Sequence, residues 1–273
     1  MNNKPKAIIL RTAGTNCDIE TQAAFELAGA HAERIHINRL IKKEVKLSDY
    51  QILAIPGGFS YGDDIASGKI LANEIRNKLG ADLKEFADNG KPVIGICNGF
   101  QVLVKIGLLP DEKEFKQKTT LSHNNSDKFE CRWVYLKQGQ GARVKEAGKN
   151  NCIWTKQLPD IIEMPVAHGE GKFTAIDEKT LRLIEKNCQV VFRYCDDKGK
   201  SANYPCNPNG SVNDIAGICN PKGNILGMMP HPERFIYKWQ HPGRSSQEKN
   251  SEYGWGLKLF QNAVKYITEN LYV

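Results

Sequence analysis

A cysteine framed by two glycines stands where a short apolar run changes into a helical pattern. Pro92–Ile96 predicts a buried strand, and Gly99–Ile106 predicts a helix. Gly95 and Gly99 lie two residues before and two residues after Cys97, which gives the pattern G-x-C-x-G. The chain is therefore expected to turn sharply from a strand into a helix, with Cys97 at the turn.

Such a strand-to-helix elbow carries the nucleophile of many hydrolases, here with Cys in place of Ser. The nucleophile sits in a strained backbone conformation, so its near neighbours must be small for the strand and helix to approach each other. The helix that follows directs the positive end of its dipole at Cys97, which favours the thiolate. The pattern predicts a nucleophilic Cys97; the alternative is a buried structural cysteine beside incidental glycines.

A thiol nucleophile needs a base, and His231 is the best candidate among the six histidines. Both Met229 and His231 precede a proline, which disfavours helix and favours extended backbone. Residues two apart in an extended segment point to the same side, so Glu233 is expected to orient the His231 imidazole. The alternative is a surface histidine in a proline-rich loop.

Acyl transfer also requires hydrogen-bond donors for the developing oxyanion. In the elbow architecture one donor is the backbone N–H after the nucleophile, here that of Asn98, and another comes from a loop after an earlier strand. Gly58 and Phe59 follow the predicted strand Gln51–Ile55, so one of their N–H groups is expected to face Cys97. The alternative is an ordinary glycine turn.

Two other residues invite comparison with these candidates. Cys17 also precedes a predicted helix, which could lower its pKa, but it lacks a glycine frame and Asp18 opposes a thiolate there. We therefore do not expect Cys17 to be catalytic. His168 and Glu170 lie among glycines, which suggests either a shaped surface for substrate or partner or a plain turn. No role is predicted for the remaining histidines, which are His31, His36, His123 and His241.

Strands and helices alternate through the first hundred residues, which predicts an α/β fold with a parallel sheet. The predicted strands and helices are Ala7–Leu10, Ile19–Ala28, Ala32–Ile37, Gln51–Ile55, Gly68–Ala87 (one long helix), Pro92–Ile96 and Gly99–Ile106. The second half predicts an antiparallel extension with strands Arg132–Leu136, Ile161–Val166 and Val190–Tyr194, a hairpin of Gly217–Cys219 with Ile225–Met228, and a last helix near Trp255–Glu269. We expect a single domain over residues 1–273.

Charge and cysteine usage argue against several function classes. The net charge of +7 is scattered, and no motif or basic stripe indicates a nucleic-acid partner. Nothing in the N-terminal residues resembles a signal peptide or a membrane span, so the eight cysteines are expected to be reduced in the cytosol. None of them forms a C-x-x-C pair, so no metal site is predicted.

The motifs resemble those of a known family. Gly95–Gln101 and Pro230–Glu233 resemble the class I (triad) glutamine amidotransferases. Four further segments resemble a narrower group, the glutaminase subunits of phosphoribosylformylglycinamidine synthases. These segments are Gly57–Asp63, Pro165–Gly171, Gly210–Gly217 and Gly227–Arg234. The resemblance extends from Ile8 to the last helix.

The resemblance implies a flavodoxin-like α/β fold and glutamine hydrolysis through a Cys97 thioester. It implies that ammonia passes to a separate synthetase subunit, which uses ATP and Mg to convert formylglycinamide ribonucleotide to its amidine in purine biosynthesis, and that a small third subunit completes the complex. It also implies that Gln101 holds glutamine and that His168 lies near substrate or partner. In members of this kind the partner subunit often organises the loop that supplies the oxyanion donors. No P-loop or dinucleotide-binding fingerprint occurs here, so no cofactor is expected on this chain.

One segment is longer than in compact bacterial members of the group. Phe235–Tyr253, which contains Trp239, His241, Arg244 and Lys249, is expected to form an extra surface loop. This loop either contacts the synthetase or is simply solvated. Two other functions stay open on the residues alone, a cysteine peptidase of similar fold and an inactive binding subunit.

Overall fold

The computed structural model describes residues 4–139, 152–243 and 252–270. Its strands are β1 Lys6–Arg11, β2 His31–His36, β3 Ile52–Ile55, β4 Val93–Ile96, β5 Thr119–Ser122, β6 Glu130–Gln138, β7 Ile161–His168, β8 Lys172–Ala175, β9 Val190–Cys195, β10 Ile215–Cys219 and β11 Ile225–Met228. Its helices are α1 Asp18–Leu27, α2 Ile37–Ile41, α3 Lys69–Lys78, α4 Gly80–Asp88, α5 Asn98–Ile106, α6 Glu178–Lys186 and α7 Trp255–Asn270.

Nine of these strands form one mixed sheet in the order β2-β1-β3-β4-β11-β10-β9-β6-β7. The first five run parallel to one another. All residues of β3, β4 and β11 are buried, as expected for strands covered on both faces by helices and loops. The α/β fold with parallel strands is therefore confirmed.

The other half of the sheet is the antiparallel extension. β10 pairs antiparallel with β11, so the predicted hairpin is confirmed, and β9, β6 and β7 continue the sheet with alternating direction. A separate two-stranded sheet joins β5 and β8. Neither β5 nor β8 was expected from the sequence.

The helices differ from expectation in one clear respect. The long helix predicted for Gly68–Ala87 is wrong, because the backbone leaves helical geometry at Leu79, with φ −127° and ψ 6°, and α4 begins at Gly80. Leu79 is buried and the next residue is glycine, the weakest helix former after proline, so tertiary packing can break the helix there at little cost. The short helices α2 and α6 were also missed.

Packing around the parallel strands fixes the positions of the loops at their carboxyl ends. Phe25 of α1 meets Phe260 of α7 edge to face, with ring centroids 4.9 Å apart. α5 packs against both α3 and the central strands.

Among the described helices, none combines the length and apolar character that crossing a membrane requires.

Candidate active site

Cys97 occupies the elbow between β4 and α5. Its backbone has φ 52° and ψ −104°, and a positive φ is uncommon for any residue with a side chain. Its N–H donates to the Met228 carbonyl at 2.8 Å, which ties the elbow to the end of β11. The thiol is 5% exposed.

The flanking glycines permit this turn. A Cβ on Gly99 would collide with the Ile55 carbonyl oxygen, and one on Gly95 would lie 2.6 Å from the Gly99 carbonyl oxygen. No other residue type leaves room for β3, β4 and α5 to approach so closely. The small neighbours inferred from the sequence are thus a steric requirement.

His231 reaches the same point from the neighbouring strand. β11 lies parallel to β4 with Met228 opposite Ile96, so the segment after β11 emerges beside the elbow. The His231 N–H donates to the Pro165 carbonyl at 2.8 Å, which anchors the segment to β7. The ring is 2% exposed.

Glu233 contacts His231 by a backbone route that differs from the expected one. His231 is extended, but Pro232–Arg234 forms a short 3-10 turn, for which the fixed φ of proline is suited at the first position. The turn still brings Glu233 Oε1 to 2.6 Å from His231 Nδ1. Expecting extended backbone through Glu233 was wrong, although the two side chains do meet.

The electrostatics of this buried pair favour a charged imidazole. Burial opposes protonation of His231, but the negative charge of Glu233, followed by that of Cys97, outweighs it and raises the pKa of His231 well above its usual value. His231 Nε2 is buried without a hydrogen-bond partner among the described residues. On the charged ring Nε2 carries a proton, and this N–H is available to donate to a group bound in the cavity.

The predicted oxyanion donors lie on two sides of Cys97. Asn98 is the first residue of α5, and first-turn N–H groups have no partner within their helix. The Phe59 N–H instead donates to the Gly14 carbonyl at 2.9 Å, and Gly58 has φ 139°. In this arrangement the Phe59 N–H is engaged and would have to leave Gly14 to reach an oxyanion.

Gln101 and Asn98 form a network that closes one wall of the site. Gln101 Nε2 donates to the Glu170 carbonyl at 2.6 Å, and Gln101 Oε1 accepts from Asn98 Nδ2 at 3.0 Å. Asn98 Nδ2 also donates to Asp63 Oδ1 at 3.1 Å. Burial raises the pKa of Asp63, against hydrogen bonds from Gly68 and others that lower it. The network joins the elbow to the loops that contain Asp63 and Glu170.

His168 is buried at the end of β7. Its Nδ1 lies 3.1 Å from Asn124 Oδ1 and its Nε2 lies 3.5 Å from Asn209 Nδ2, which fits a neutral ring that donates through Nδ1 and accepts through Nε2. Burial, with a smaller effect from the charge of His231, lowers the pKa of His168 to about 3. His168 is therefore a neutral member of a polar network.

A cavity of about 250 Å³ connects these groups. This volume lies below the range of about 300–1,000 Å³ typical of drug-sized ligands and suits a ligand the size of one amino acid. It is lined by Asn16, Cys17, Gly58, Phe59, Asp63, Ser67, Cys97, Gln101, Phe129, Cys131, Ala167, His168, Gly169, Glu170, His231 and Arg234. It brings together all the predicted site residues except Glu233 and Asn98, which lie directly behind it.

Sequence reasoning missed the place of Cys17 in this site. Cys17 Sγ lies 4.0 Å from His231 Nδ1 and accepts a hydrogen bond from Arg234 Nη2 at 3.1 Å. Burial raises the pKa of Cys17, so the expected lowering by the helix does not prevail. The only available signal was that Cys17 ends a loop after β1, at the same sheet edge as the elbow.

The segment Phe235–Tyr253 is only partly a surface loop. Residues 244–251, which include Arg244 and Lys249, lie outside the described residues. Phe235 is buried and His241 is 6% exposed. Each of these rings meets Trp133 edge to face, and the two rings are tilted relative to each other. Trp239 is 62% exposed and Tyr253 is 43% exposed, so these two aromatics in the described part of the segment face outward.

Comparisons with known proteins agree with the geometry. A family model described as a CobB/CobQ-like glutamine amidotransferase domain matches residues 4–267. A protein of Dehalococcoides mccartyi named phosphoribosylformylglycinamidine synthase subunit PurQ is 49% identical over 265 residues, which cover 97% of this chain and 98% of that protein. A protein of the same name from Methanococcus maripaludis is 43% identical over 278 residues, with 97% and 98% covered.

Solved structures show the same relationship. A chain of the PurLQS structure from Thermotoga maritima is 31% identical with a TM-score of 0.70, and the match covers 97% of this chain and 99% of that one. A glutamine amidotransferase structure from Thermotoga maritima matches with a TM-score of 0.53 at 14% identity, which supports the fold alone.

Proposed function

Because the chain belongs to the CobB/CobQ-like glutamine amidotransferase family, we propose that it is the glutaminase subunit of a phosphoribosylformylglycinamidine synthase. It hydrolyses glutamine to glutamate and supplies the ammonia to a synthetase subunit, which uses ATP and Mg to make the amidine of formylglycinamide ribonucleotide. The observation that carries the proposal is the buried His231–Glu233 contact of 2.6 Å beside a cysteine on a glycine-framed elbow. The relatives named PurQ, identical at 43–49%, support the substrate and the pathway.

The partners follow from the same relatives. The PurLQS structure carries the names of three subunits, so we propose that this chain assembles with a large synthetase subunit and a small third subunit. The family model matches residues 4–267, which supports a single domain. None of the eight cysteines forms a disulfide, which supports a reducing compartment such as the cytosol.

The first half of the reaction forms a thioester. Cys97 Sγ attacks the carbon of the glutamine carboxamide, and the oxyanion is held by the Asn98 N–H and by an N–H of Gly58 or Phe59. His231, protonated on both ring nitrogens, gives its Nε2 proton to the leaving ammonia. Glu233 stays ionised and stabilises the imidazolium through Nδ1.

The second half releases glutamate. Neutral His231 takes a proton from water at Nε2, and the hydroxide equivalent attacks the thioester carbon. The tetrahedral intermediate collapses, the Cys97 sulfur leaves, and His231 again holds the proton. The polar wall formed by Gln101 and the Glu170 loop positions the amino acid end of glutamine in the cavity.

The hydrogen bond from the Phe59 N–H to the Gly14 carbonyl affects when glutamine hydrolysis is fast. While that bond is formed, the oxyanion has the Asn98 donor but lacks the Phe59 donor. Loss of one oxyanion donor costs about 10²–10³ in rate in other hydrolases. Binding of the synthetase, by shifting this loop, would couple glutamine hydrolysis to the presence of a partner that consumes ammonia.

Substitution of the nucleophile tests the proposed function. In the assembled complex, Cys97→Ala should abolish glutamine-dependent synthesis and leave synthesis from added ammonium unchanged, because only the thioester step uses the thiol. Cys206→Ala, at a partly exposed thiol that does not line the cavity, is the matched control and should keep both activities. Glutaminase activity of Cys97→Ala near the wild-type level would refute the assignment.

A further inference from the structure

A thiol, an imidazole and a carboxylate converge at His231 Nδ1, the ring nitrogen that Glu233 contacts. Cys17 Sγ, His231 Nδ1 and a Glu233 carboxylate oxygen all lie within 4.8 Å of one another. All three residues are at most 2% exposed. Cys17 plays no part in the mechanism above, so its place here is unexplained by that chemistry.

We propose that these three side chains form a zinc site that switches the enzyme off. Sulfur, nitrogen and oxygen donors of this kind are the ligands that zinc takes in proteins, usually four in a tetrahedron. From ordinary zinc–ligand bond lengths, donor atoms in such a site lie about 3.3–3.6 Å apart. The observed separations of 2.6 Å for Nδ1–Oε1 and 4.0 Å for Nδ1–Sγ therefore need shifts of less than an ångström.

A second observation points to a ligand at this place. Glu233 Oε2 is buried without a hydrogen-bond partner in the described part of the chain, although buried carboxylate oxygens are normally satisfied. The Glu233 carboxylate can therefore coordinate a cation through Oε2 as well as through Oε1. Water in the cavity would complete the tetrahedron, since the cavity is lined by both Cys17 and His231.

The surroundings suit a metal-bound thiolate. Arg234 Nη2 already donates to Cys17 Sγ at 3.1 Å, and such outer hydrogen bonds orient and stabilise metal ligands. Arg234 is itself paired with Glu20 at 3.2 Å, so its charge is partly balanced. The thiolate of Cys17 and the carboxylate of Glu233 together neutralise a divalent ion.

Binding at this site removes the catalytic base. Zinc takes the place of the proton between His231 Nδ1 and Glu233, and the thiol proton of Cys17 is released to solvent with it. The neutral ring must then carry its one proton on Nε2, so it cannot accept a proton from Cys97 or from water. This inhibitory role depends on the proposed function, whereas metal binding itself does not.

Binding is measured with Zn²⁺ alone on the full chain, by competition with a chromophoric chelator, and Co²⁺ absorption then reports a thiolate ligand. We expect one tight equivalent in wild type and in Cys97→Ala. Cys17→Ser, which keeps hydroxyl hydrogen bonds to Asn16 and Arg234, should bind at least about 10-fold more weakly. Cys131→Ser, which removes an exposed thiol, should bind like wild type.

Inhibition is measured in the assembled complex with glutamine and with ammonium as nitrogen sources. Zinc should inhibit glutamine-dependent synthesis of wild type at least about 10-fold more strongly than that of Cys17→Ser. Equal zinc binding by wild type and Cys17→Ser, or loss of binding in Cys97→Ala, would overturn the site, because the metal would then sit elsewhere or on Cys97. A glutaminase-inactive wild type that still binds zinc through Cys17 would instead contradict the proposed function alone.

Discussion

His231 lies between two thiols that have different environments. Cys97 is held in a strained turn at the start of a helix, whereas Cys17 lies beside His231 Nδ1 and Glu233 and is buried with a raised pKa. One imidazole therefore interacts with two thiols, of which Cys97 is the proposed nucleophile and Cys17 is not. The two thiols differ in backbone position, since both are buried and the side chains are chemically identical.

His168 gives a residue-scale prediction about pH. Its pKa is about 3 in the folded chain and about 6.5 when exposed, so the unfolded chain takes up a proton that the folded chain refuses. The stability due to neutral His168 is complete above pH 6.5 and is lost as the pH falls from 6.5 towards 3. Between pH 6.5 and about 5.5 the loss is about 1 kcal/mol.

The measurement is urea unfolding of wild type and His168→Gln across this pH range. The variant lacks the titrating ring, so its stability should fall by about 1 kcal/mol less than that of wild type. Leu183→Gln is the control, because it changes a side chain that is 47% exposed and carries no titrating group, so its pH dependence should follow that of wild type. Parallel curves for wild type and His168→Gln would show that His168 is not held neutral.

At the scale of elements, Gly57 sets the distance between the loop after β3 and the segment after β11. A Cβ at Gly57 would lie 2.8 Å from His231 Cε1 and 3.1 Å from Cys17 Sγ. Gly57→Ala should therefore displace the imidazole, and misplacing a catalytic group by about 1 Å can cost about 100-fold in rate. We expect a fall of at least about 10-fold in glutaminase kcat with a nearly unchanged melting temperature.

Gly80→Ala is the matched glycine control for that experiment. No atom lies within 4 Å of a Cβ built at Gly80, so the added methyl group meets nothing. Its kcat should equal that of wild type. If Gly57→Ala also kept full activity, the close approach of the two loops would not matter for catalysis.

The elements that sequence patterns predicted are those with strong local signals. β3 and β4 are unbroken apolar runs stopped by glycine or a turn, and the elbow has its own glycine signature. β5 and β8 were missed because each is short and half-buried, and they pair across about fifty residues, as Thr120 does with Thr174. α6 did carry a usable signal, since Asp177 caps it by accepting from the Thr180 N–H at 2.7 Å.

The residues of the site also divide into those with a local sequence signal and those without one. Cys97, His231 and Glu233 could be named from local patterns, because an elbow and a proline-flanked His-x-Glu each lie within a few residues. The approach of Cys17 to His231 could not, since 214 residues separate them and only the sheet order brings them together. The engagement of the Phe59 N–H with Gly14 was equally invisible, because both lie in loops.

At the scale of the whole molecule, the beginning of the segment Phe235–Tyr253 is part of the hydrophobic core. Phe235 is fully buried and meets Trp133 edge to face at 5.0 Å, whereas Trp239 is 62% exposed. Phe235→Ala should cost about 3–5 kcal/mol of stability and lower the melting temperature. Trp239→Ala should change the stability by at most about 0.5 kcal/mol.

Melting temperature and assembly with the synthetase subunits are measured together for both variants. Deleting all of Phe235–Tyr253 would confuse folding with binding, which these single substitutions avoid. Loss of assembly in Trp239→Ala at an unchanged melting temperature would make the segment a partner contact. Normal assembly would make its exposed part solvated surface, and an unchanged melting temperature of Phe235→Ala would contradict its burial.

The order of the sheet also governs when the protein becomes active during its synthesis. Cys97 precedes in the chain both Met228, whose carbonyl accepts from the Cys97 N–H, and His231, the proposed base. β11 fills the place between β4 and β10, so the elbow has an open neighbour until most of the chain has left the ribosome. Under the proposed roles, a partly made chain has the nucleophile without its base, so it would not hydrolyse glutamine before His231 has been made.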